Sequence, residues 1–122
     1  TNSSETQLIT QSLLAKGVDV FFALPDNVIF SSFETVAKAC EEKHVPVLTS
    51  EAGLVARGAM ASYGADMYQW GYQSGQQAAH YLKTGKTEGI QPEMVKVRNR
   101  LMKRSAAITY LTNIDSAFTL IP

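Results

Sequence analysis

We predict an α/β fold in which helices cover a parallel sheet in three layers. The first observation is that segments with helical periodicity alternate with short apolar runs, in the order helix, strand, helix, strand. Such an alternation requires right-handed crossovers, which make successive strands parallel. The second is the apolar run at 18–24, which is rich in β-branched and aromatic residues. That composition is typical of a strand buried on both faces.

The first half of the chain predicts two helices and a second strand around this run. A helical stripe over 3–16 is preceded by Asn2 and contains Ser4, either of which has the spacing of a capping box. A proline after 18–24 ends the strand. A second helix is predicted over 28–43, and a second strand over 45–49.

The second half of the chain predicts one long helix and several short elements. Asp66 is predicted to cap a helix that runs to Lys83. Within it, Gly71 and Gly75 have the spacing of close helix packing, which we expect against a sheet. The other elements are a helical turn at 54–57, a short strand or extended crossing segment at 58–64, a polar loop at 84–92, and strands at 94–101 and 106–111.

Composition and charge describe an ordinary globular chain. Of its 122 residues, 45% are hydrophobic and 18% are charged, and 11 basic residues balance 11 acidic ones. These values exclude a disordered segment and give no sign of a nucleic-acid surface or a polybasic membrane patch. One basic cluster is interpreted as the solvated face of a strand; it comprises Lys96, Arg98, Arg100, Lys103 and Arg104.

Three carboxylates follow predicted strands or loops: Asp26, Glu51 and Asp66. In open α/β sheets, ligands bind at the carboxyl ends of the strands. No nucleophile elbow, phosphate-binding glycine motif or metal-ligand spacing accompanies these acids, so we expect no cofactor and the case for catalysis is weak. Asp26 has two compatible interpretations, as the cap of the next helix or as a carboxylate at the mouth of a cleft.

Aromatic residues surround Asp66 in the sequence: they are Tyr63, Tyr68, Trp70 and Tyr72. Rings beside carboxylates suit a ligand with an apolar body and an ammonium head. The alternative is that these rings serve only in packing. Both interpretations stay open at the level of sequence.

Five blocks of the sequence, in order, resemble the substrate-binding proteins of ABC transporters, in the branch that includes aromatic amino-acid binders. The blocks are 2–5 with 11–14, 18–27, 45–47, 58–71, and 113–117 with the final Ile-Pro. For example, Gly-Ala-Met-Ala followed by Gly-Ala-Asp-Met-Tyr-Gln-Trp-Gly is similar to the family's Gly-Ala-Leu-Ala and Gly-Val-Asp-Tyr-Tyr-x-Leu-Gly. Likewise, Pro-Asp-Asn at the end of 18–27 is similar to the family's Thr-Asp-Asn.

The resemblance implies an incomplete, C-terminal portion of a two-lobed type I periplasmic-binding fold. Residues 1–58 would form part of the second lobe, and 59–112 would hold a crossing segment, the long helix and strands of the first lobe. Residues 113–122 would cross back. Because the chain begins with Thr and shows no signal-peptide pattern, either a leader has been removed or this is a piece of a longer protein, and the resemblance favours the second. Exposed apolar faces should then meet the missing N-terminal part or drive self-association.

The resemblance also implies an extracytoplasmic solute-binding component of an ABC importer, periplasmic or lipid-anchored. It would close on a small solute such as an amino acid, an aromatic one favoured, and deliver it to a membrane permease. Asp26 would pair with an α-ammonium group beside Asn27, and Glu51, Asp66 and Tyr68 would complete the ligand site. Two other hypotheses are a ligand-sensing domain of the same fold in a signalling or regulatory protein, and a small α/β enzyme using Asp26.

Overall fold

The computed structural model describes residues 3–111 and 113–122. The predicted cap Asn2 lies outside this range, as does the side chain of Ser4. The helices are α1 (Ser3–Leu14), α2 (Asn27–Ser31), α3 (Phe33–Glu42), α4 (Gly53–Ala56), α5 (Met67–Thr84) and α6 (Arg104–Tyr110). The strands are β1 (Phe21–Ala23), β2 (Val47–Thr49), β3 (Ala61–Ala65), β4 (Arg98–Lys103) and β5 (Thr119–Ile121).

The strands form one mostly parallel sheet in the order β1-β2-β3-β4-β5. Strands β1, β2 and β3 are parallel, with Phe21 opposite Val47 and Leu48 opposite Ala61. Strand β4 runs antiparallel to β3, and β5 is parallel to β4. The predicted α/β class with a parallel sheet is therefore confirmed.

Helices cover the two faces of the sheet unequally. One face packs against α1 and α3, and its core includes Phe33, Val36 and Val47. The opposite face buries Ala61 and Met102 beneath Ala107 of α6. Since side chains alternate along a strand, the register places Phe22 on this second face. There it is 54% exposed, so the prediction that 18–24 is buried on both faces is wrong for this chain.

Two predicted elements in the first half are shorter or divided. The first strand covers three residues, Phe21–Ala23, because its only partner in the described chain, β2, is itself three residues long. The helix predicted over 28–43 breaks at Ser32, whose φ of −115° and ψ of 11° are not helical and whose hydroxyl donates to the carbonyl of Val28. Ser32 is also the residue from which α3 begins.

The strand predicted at 106–111 is wrong, because this segment lies in or just after helix α6. Its β-branched and aromatic residues favour a strand locally. The helix instead places Ala107 and Leu111 four residues apart on one face, against the sheet. The amide of Leu111 donates to the carbonyl of Ala107 at 2.8 Å. Tertiary packing of small side chains therefore overrides local propensity.

The predicted cap and extent of the long helix are confirmed, but its packing is not. Asp66 caps α5, which ends at Thr84. No residue of α5 is buried, and a Cβ atom at Gly71 or Gly75 would contact nothing within 4 Å. The strand predicted at 94–101 is displaced to β4, because Gln73 of α5 holds the preceding segment through the carbonyl of Met94 and the amide of Lys96.

Strands β3 and β4 fall within 59–112, for which a first-lobe position is expected. In the structure they continue the sheet of β1 and β2, and β5 pairs with β4. Only α5 and the loop after it leave the sheet. The division into lobes stays a prediction, whereas the expected exposed apolar faces are confirmed along β1 and α5.

Among the described residues, no helix is both long and apolar enough to cross a membrane.

Candidate functional site

The loops that follow β1, β2 and β3 leave the sheet at the same edge, because these strands are parallel. Asp26 lies three residues beyond β1, Glu51 two residues beyond β2, and Asp66 immediately beyond β3. Neighbouring strands are about 4.8 Å apart. The fold therefore brings the three predicted carboxylates to one edge, which we call the carboxyl edge.

Asp26 caps helix α2 with one oxygen and leaves the other available. Its Oδ1 accepts the amide protons of Val28 and Ile29 at 2.8 and 3.3 Å. Within the described chain, Oδ2 has no hydrogen-bond donor. The side chain and the neighbouring Asn27 are both exposed. The two interpretations of Asp26, cap and ligand-facing carboxylate, are therefore compatible in the structure.

Glu51 closes the turn after β2. Its Oε1 accepts the amide proton of Gly53 at 3.2 Å, and its own amide donates to Oγ1 of Thr49 at 3.1 Å. These bonds fix the loop, since the backbone of Glu51 is tied to the buried end of β2. The residue is half-buried, and its second carboxylate oxygen accepts no hydrogen bond within the described chain.

Asp66 uses both of its oxygens inside the chain. Oδ1 accepts the amide proton of Gln69 at 2.9 Å, and Oδ2 accepts from Nδ2 of Asn99 at 2.9 Å. The amide of Gln69, followed by the side chain of Asn99, lowers the pKa of Asp66. Asp66 therefore joins the end of β3 to α5 and β4, so both of its oxygen atoms stabilise the fold.

Sequence reasoning missed Asn99 and the close approach at Gly64. Asn99 lies opposite Gly64 in the β3–β4 ladder, a pairing that its position 33 residues after Asp66 does not reveal. A Cβ atom at Gly64 would lie 1.7 Å from the carbonyl oxygen of Ser50. Only glycine therefore permits the loop after β2 to lie against β3. The signal in the sequence is a glycine inside a strand pattern.

The aromatic residues near Asp66 are all exposed in this chain. Tyr63 lies on the same sheet face as Phe22 and stacks under the guanidinium of Arg100, 4.7 Å from the ring centroid. Tyr68 is 79% exposed on the first turn of α5. The structure describes no mutual packing of these rings. Tyr68 belongs to the same helix that Asp66 caps, so it lies near the carboxyl edge.

The described residues at the carboxyl edge form an open rim. A cavity beside α3 and α6 and a smaller one beside α5 lie elsewhere, and neither is lined by a predicted site residue. Across the described residues, no group of His, Cys, Asp and Glu side chains is arranged to hold a metal ion. What the rim offers chemically is carboxylate oxygen, suited to an ammonium or hydroxyl group.

Comparison with known proteins gives a consistent result. Residues 1–116 match the family described as ABC transporter substrate binding protein. A tyrosine-binding protein of Clostridioides difficile (strain R20291) is 39% identical over 90 residues, which are 74% of this chain and 26% of that protein. The chain thus spans about a quarter of this curated relative.

Solved structures share the fold over most of the chain. A conserved domain protein from Vibrio cholerae matches with a TM-score of 0.78 and 29% identity, over 95% of this chain and 39% of that one. The open, ligand-free structure of a substrate binding protein with adhesive properties from Clostridium difficile matches at 0.77 and 24%, over 99% and 41%. An ABC domain in complex with L-Trp from Streptococcus pneumonia matches at 0.72 and 21%, over 88% and 37%. The last two similarities show the fold alone.

Proposed function

The chain belongs to the family of ABC transporter substrate binding proteins, and we propose that it is the C-terminal part of the extracytoplasmic solute-binding component of an ABC importer. The whole protein, periplasmic or lipid-anchored, would bind an amino acid, an aromatic one favoured, by closure of two lobes. It would then deliver the solute to a membrane permease. The similarity to a tyrosine-binding protein supports this ligand class.

The observation that carries the proposal is the placement of Asp26. A carboxylate held by a helix cap, with Oδ2 unpartnered at the carboxyl edge, is oriented before any ligand arrives. Because the side chain is exposed here, its charge costs little to maintain until a second lobe covers it. We propose that Asp26 binds the α-ammonium group beside Asn27, and that Glu51 and Tyr68 line the same ligand. Asp66 would act by fixing the rim.

The exposed helix α5 supports a missing first lobe. In this chain, α5 presents Met67, Trp70 and Leu82 to solvent without burying any residue. An 18-residue helix of this kind needs a packing partner, since most helical stability comes from an apolar face that is covered. We propose that α5 and the loop after it pack on the first lobe, while β3, β4 and β5 complete the second.

Two alternatives make different predictions. A sensing domain of the same fold would bind the same ligand but would be joined to a signalling or DNA-binding module, which the full reading frame would show. An enzyme would need a second reactive group beside Asp26, whereas the described neighbours of its carboxylate are backbone amides. We therefore propose binding without catalysis.

Calorimetric titration of the full-length protein with L-tyrosine, L-tryptophan and L-alanine tests the proposal. We expect saturable binding of one or both aromatic amino acids at least about tenfold tighter than of L-alanine, which corresponds to roughly 1.4 kcal/mol. L-tyrosine carrying an N-acetyl group is the control, because it has no ammonium group and should not bind. Absence of binding by any free amino acid would contradict the proposal.

A further inference from the structure

A cavity of about 710 Å³ lies at the edge of the sheet opposite the carboxyl edge. Val45 and Met60, which precede β2 and β3, lie in its floor together with Val47, and Lys103 at the end of β4 lies beside them. These residues mark the amino ends of the parallel strands. The cavity is therefore separate from Asp26 and the rest of the proposed solute site.

The cavity combines an apolar floor with polar walls. Val45, Val47 and Met60 are buried by the surrounding structure, yet they line it. One wall is the outer stripe of α3, and the other is α6 with the hydroxyl-bearing residues Ser105 and Tyr110. The volume falls within the roughly 300–1,000 Å³ that is usual for small-molecule sites, which pair an apolar lining with a few polar groups.

The charges in the walls leave an excess of cations. Three cationic side chains, Lys38, Arg57 and Lys103, line the cavity against Glu34 and Glu41. Arg57 and Glu34 neutralise each other through two bonds of 2.6 and 2.8 Å. Within the described chain, neither Lys38 nor Lys103 forms an ion pair. Lys38 and Lys103 therefore line the cavity without a fixed counter-charge among the described residues.

Glu41 lies toward the far end of the cavity, beside Tyr110. Burial, followed by the charge of Glu41, raises the pKa of the Tyr110 phenol, which keeps this hydroxyl protonated as a hydrogen-bond donor. His44 of the same wall adds an imidazole ring at this end. The cavity thus has a cationic part, an apolar floor and a hydroxyl donor that a single small molecule can contact together.

We propose that this cavity is a second ligand site, which binds a small organic carboxylate with an apolar body. The carboxylate lies between Lys38 and Lys103, and the apolar body lies on Val45, Val47 and Met60. This inference does not rest on the proposed amino-acid function, because the site is at the other edge of the sheet and shares no residue with it. A ligand here would be an effector or a second solute.

The test uses the full-length protein labelled with 3-fluorotyrosine, and 4-phenylbutyrate is the probe. The fluorine resonance of Tyr110 is identified by its loss in Tyr110→Phe. We expect this resonance to shift saturably with 4-phenylbutyrate, and to do so equally when L-tyrosine is present. The neutral amide of the probe should produce no shift, since it offers no charge to the lysines.

Two matched double variants assign the effect to the cavity. Lys38→Gln with Lys103→Gln should weaken binding roughly tenfold, as expected for losing two partly exposed charge pairs. Lys83→Gln with Lys86→Gln, at the exposed end of α5, should leave it unchanged. The proposal is overturned if Tyr110 shows no saturable shift, if the amide binds as well as the acid, or if the cavity variant binds as tightly as the unmodified protein.

Discussion

The carboxylates at the carboxyl edge differ in how many of their oxygen atoms are free to bind a ligand. Asp66 has both oxygens engaged, by Gln69 and Asn99, whereas Asp26 has only one engaged. Both residues are caps, and the sequence predicts both as caps, since an Asp before a helical pattern is a strong signal. What the sequence could not show is the 2.9 Å bond from Asn99 to Asp66, because this bond depends on the register of two strands. That bond gives Asp66 a structural role, and Asp26 is the carboxylate for which we propose binding of the ammonium group.

Replacing Asp26 should separate its two roles. Asp26→Ala in the full-length protein should weaken amino-acid binding by about 3–5 kcal/mol, because it leaves a buried ammonium group unpaired. It should also cost about 1 kcal/mol of stability through the lost cap. Asp26→Asn is the matched control, since Asn caps as well but carries no charge. Calorimetry should show similar binding losses for both variants; a loss below about 1 kcal/mol in either would count against the role.

The ion pair of Glu34 and Arg57 predicts a pH dependence of stability. Hydrogen bonds from Arg57 lower the pKa of Glu34 from 4.5 to about 2. A carboxyl with a lowered folded pKa stabilises the fold fully above its usual pKa, and this contribution is lost as the pH falls through the folded value. Urea unfolding of the full-length protein should therefore show a difference between Glu34→Gln and the unmodified protein that narrows toward about pH 2. When both proteins also carry Arg57→Gln, the difference in their stability should no longer narrow at low pH. An equal difference at every pH between Glu34→Gln and the unmodified protein would refute the pairing.

The contact between Gly64 and the carbonyl of Ser50 predicts that glycine is required there. Gly64→Ala would place a Cβ atom 1.7 Å from this oxygen, and because the neighbour is backbone, the cost should reach the upper part of the 1–3 kcal/mol that overpacking brings, about 3 kcal/mol. Gly53→Ala is the control, since its nearest contact is an ordinary 3.5 Å. Denaturant unfolding should show a loss only for the first variant; equal stabilities would mean that the two segments are further apart.

The elements were predictable where local pattern and tertiary packing agree. Helix α5 and its cap follow from Asp66 and a long periodic pattern, and the first two strands follow from apolar runs between turn residues. The segment 106–111 could not be predicted, because its β-branched residues favour a strand while packing of Ala107 selects a helix. The bounds of β4 depend on contacts with Gln73, which no local pattern contains.

Trp70 can show whether helix α5 is covered in the full-length protein. Trp70 is the chain's one tryptophan and is 44% exposed in this chain. If α5 packs on a first lobe, iodide should quench the fluorescence of Trp70 in the full-length protein only weakly. The fluorescence of Trp70 is obtained by subtracting the signal of Trp70→Phe. A tryptophan introduced by Lys43→Trp in the exposed turn after α3, in a Trp70→Phe background, is the control and should be quenched strongly. Equal quenching of the two sites would contradict the lobe assignment of α5.

The exposed apolar surfaces of this chain have to be considered together with how much of its relatives it covers. The chain spans about a quarter of the tyrosine-binding relative and about two fifths of two of the matching structures. In the part of the chain that the structure describes, strand β1 has a single neighbour, Phe22 is exposed, and no residue of α5 is buried. These features have one common cause if further strands and a second lobe lie beside them. The fold of the part present was therefore predictable from its sequence, whereas this chain supplies only one side, the carboxyl edge, of the ligand site that we propose.

A crystal structure of the full-length protein with bound L-tyrosine tests the central claim most directly, because it measures the distance from Asp26 Oδ2 to the ligand nitrogen. We predict a distance of about 2.8 Å, within hydrogen-bond range, with the amino acid lying at the carboxyl edge between two lobes. A ligand held elsewhere, or at this edge with its ammonium group beyond about 4 Å from Asp26, would contradict the claim.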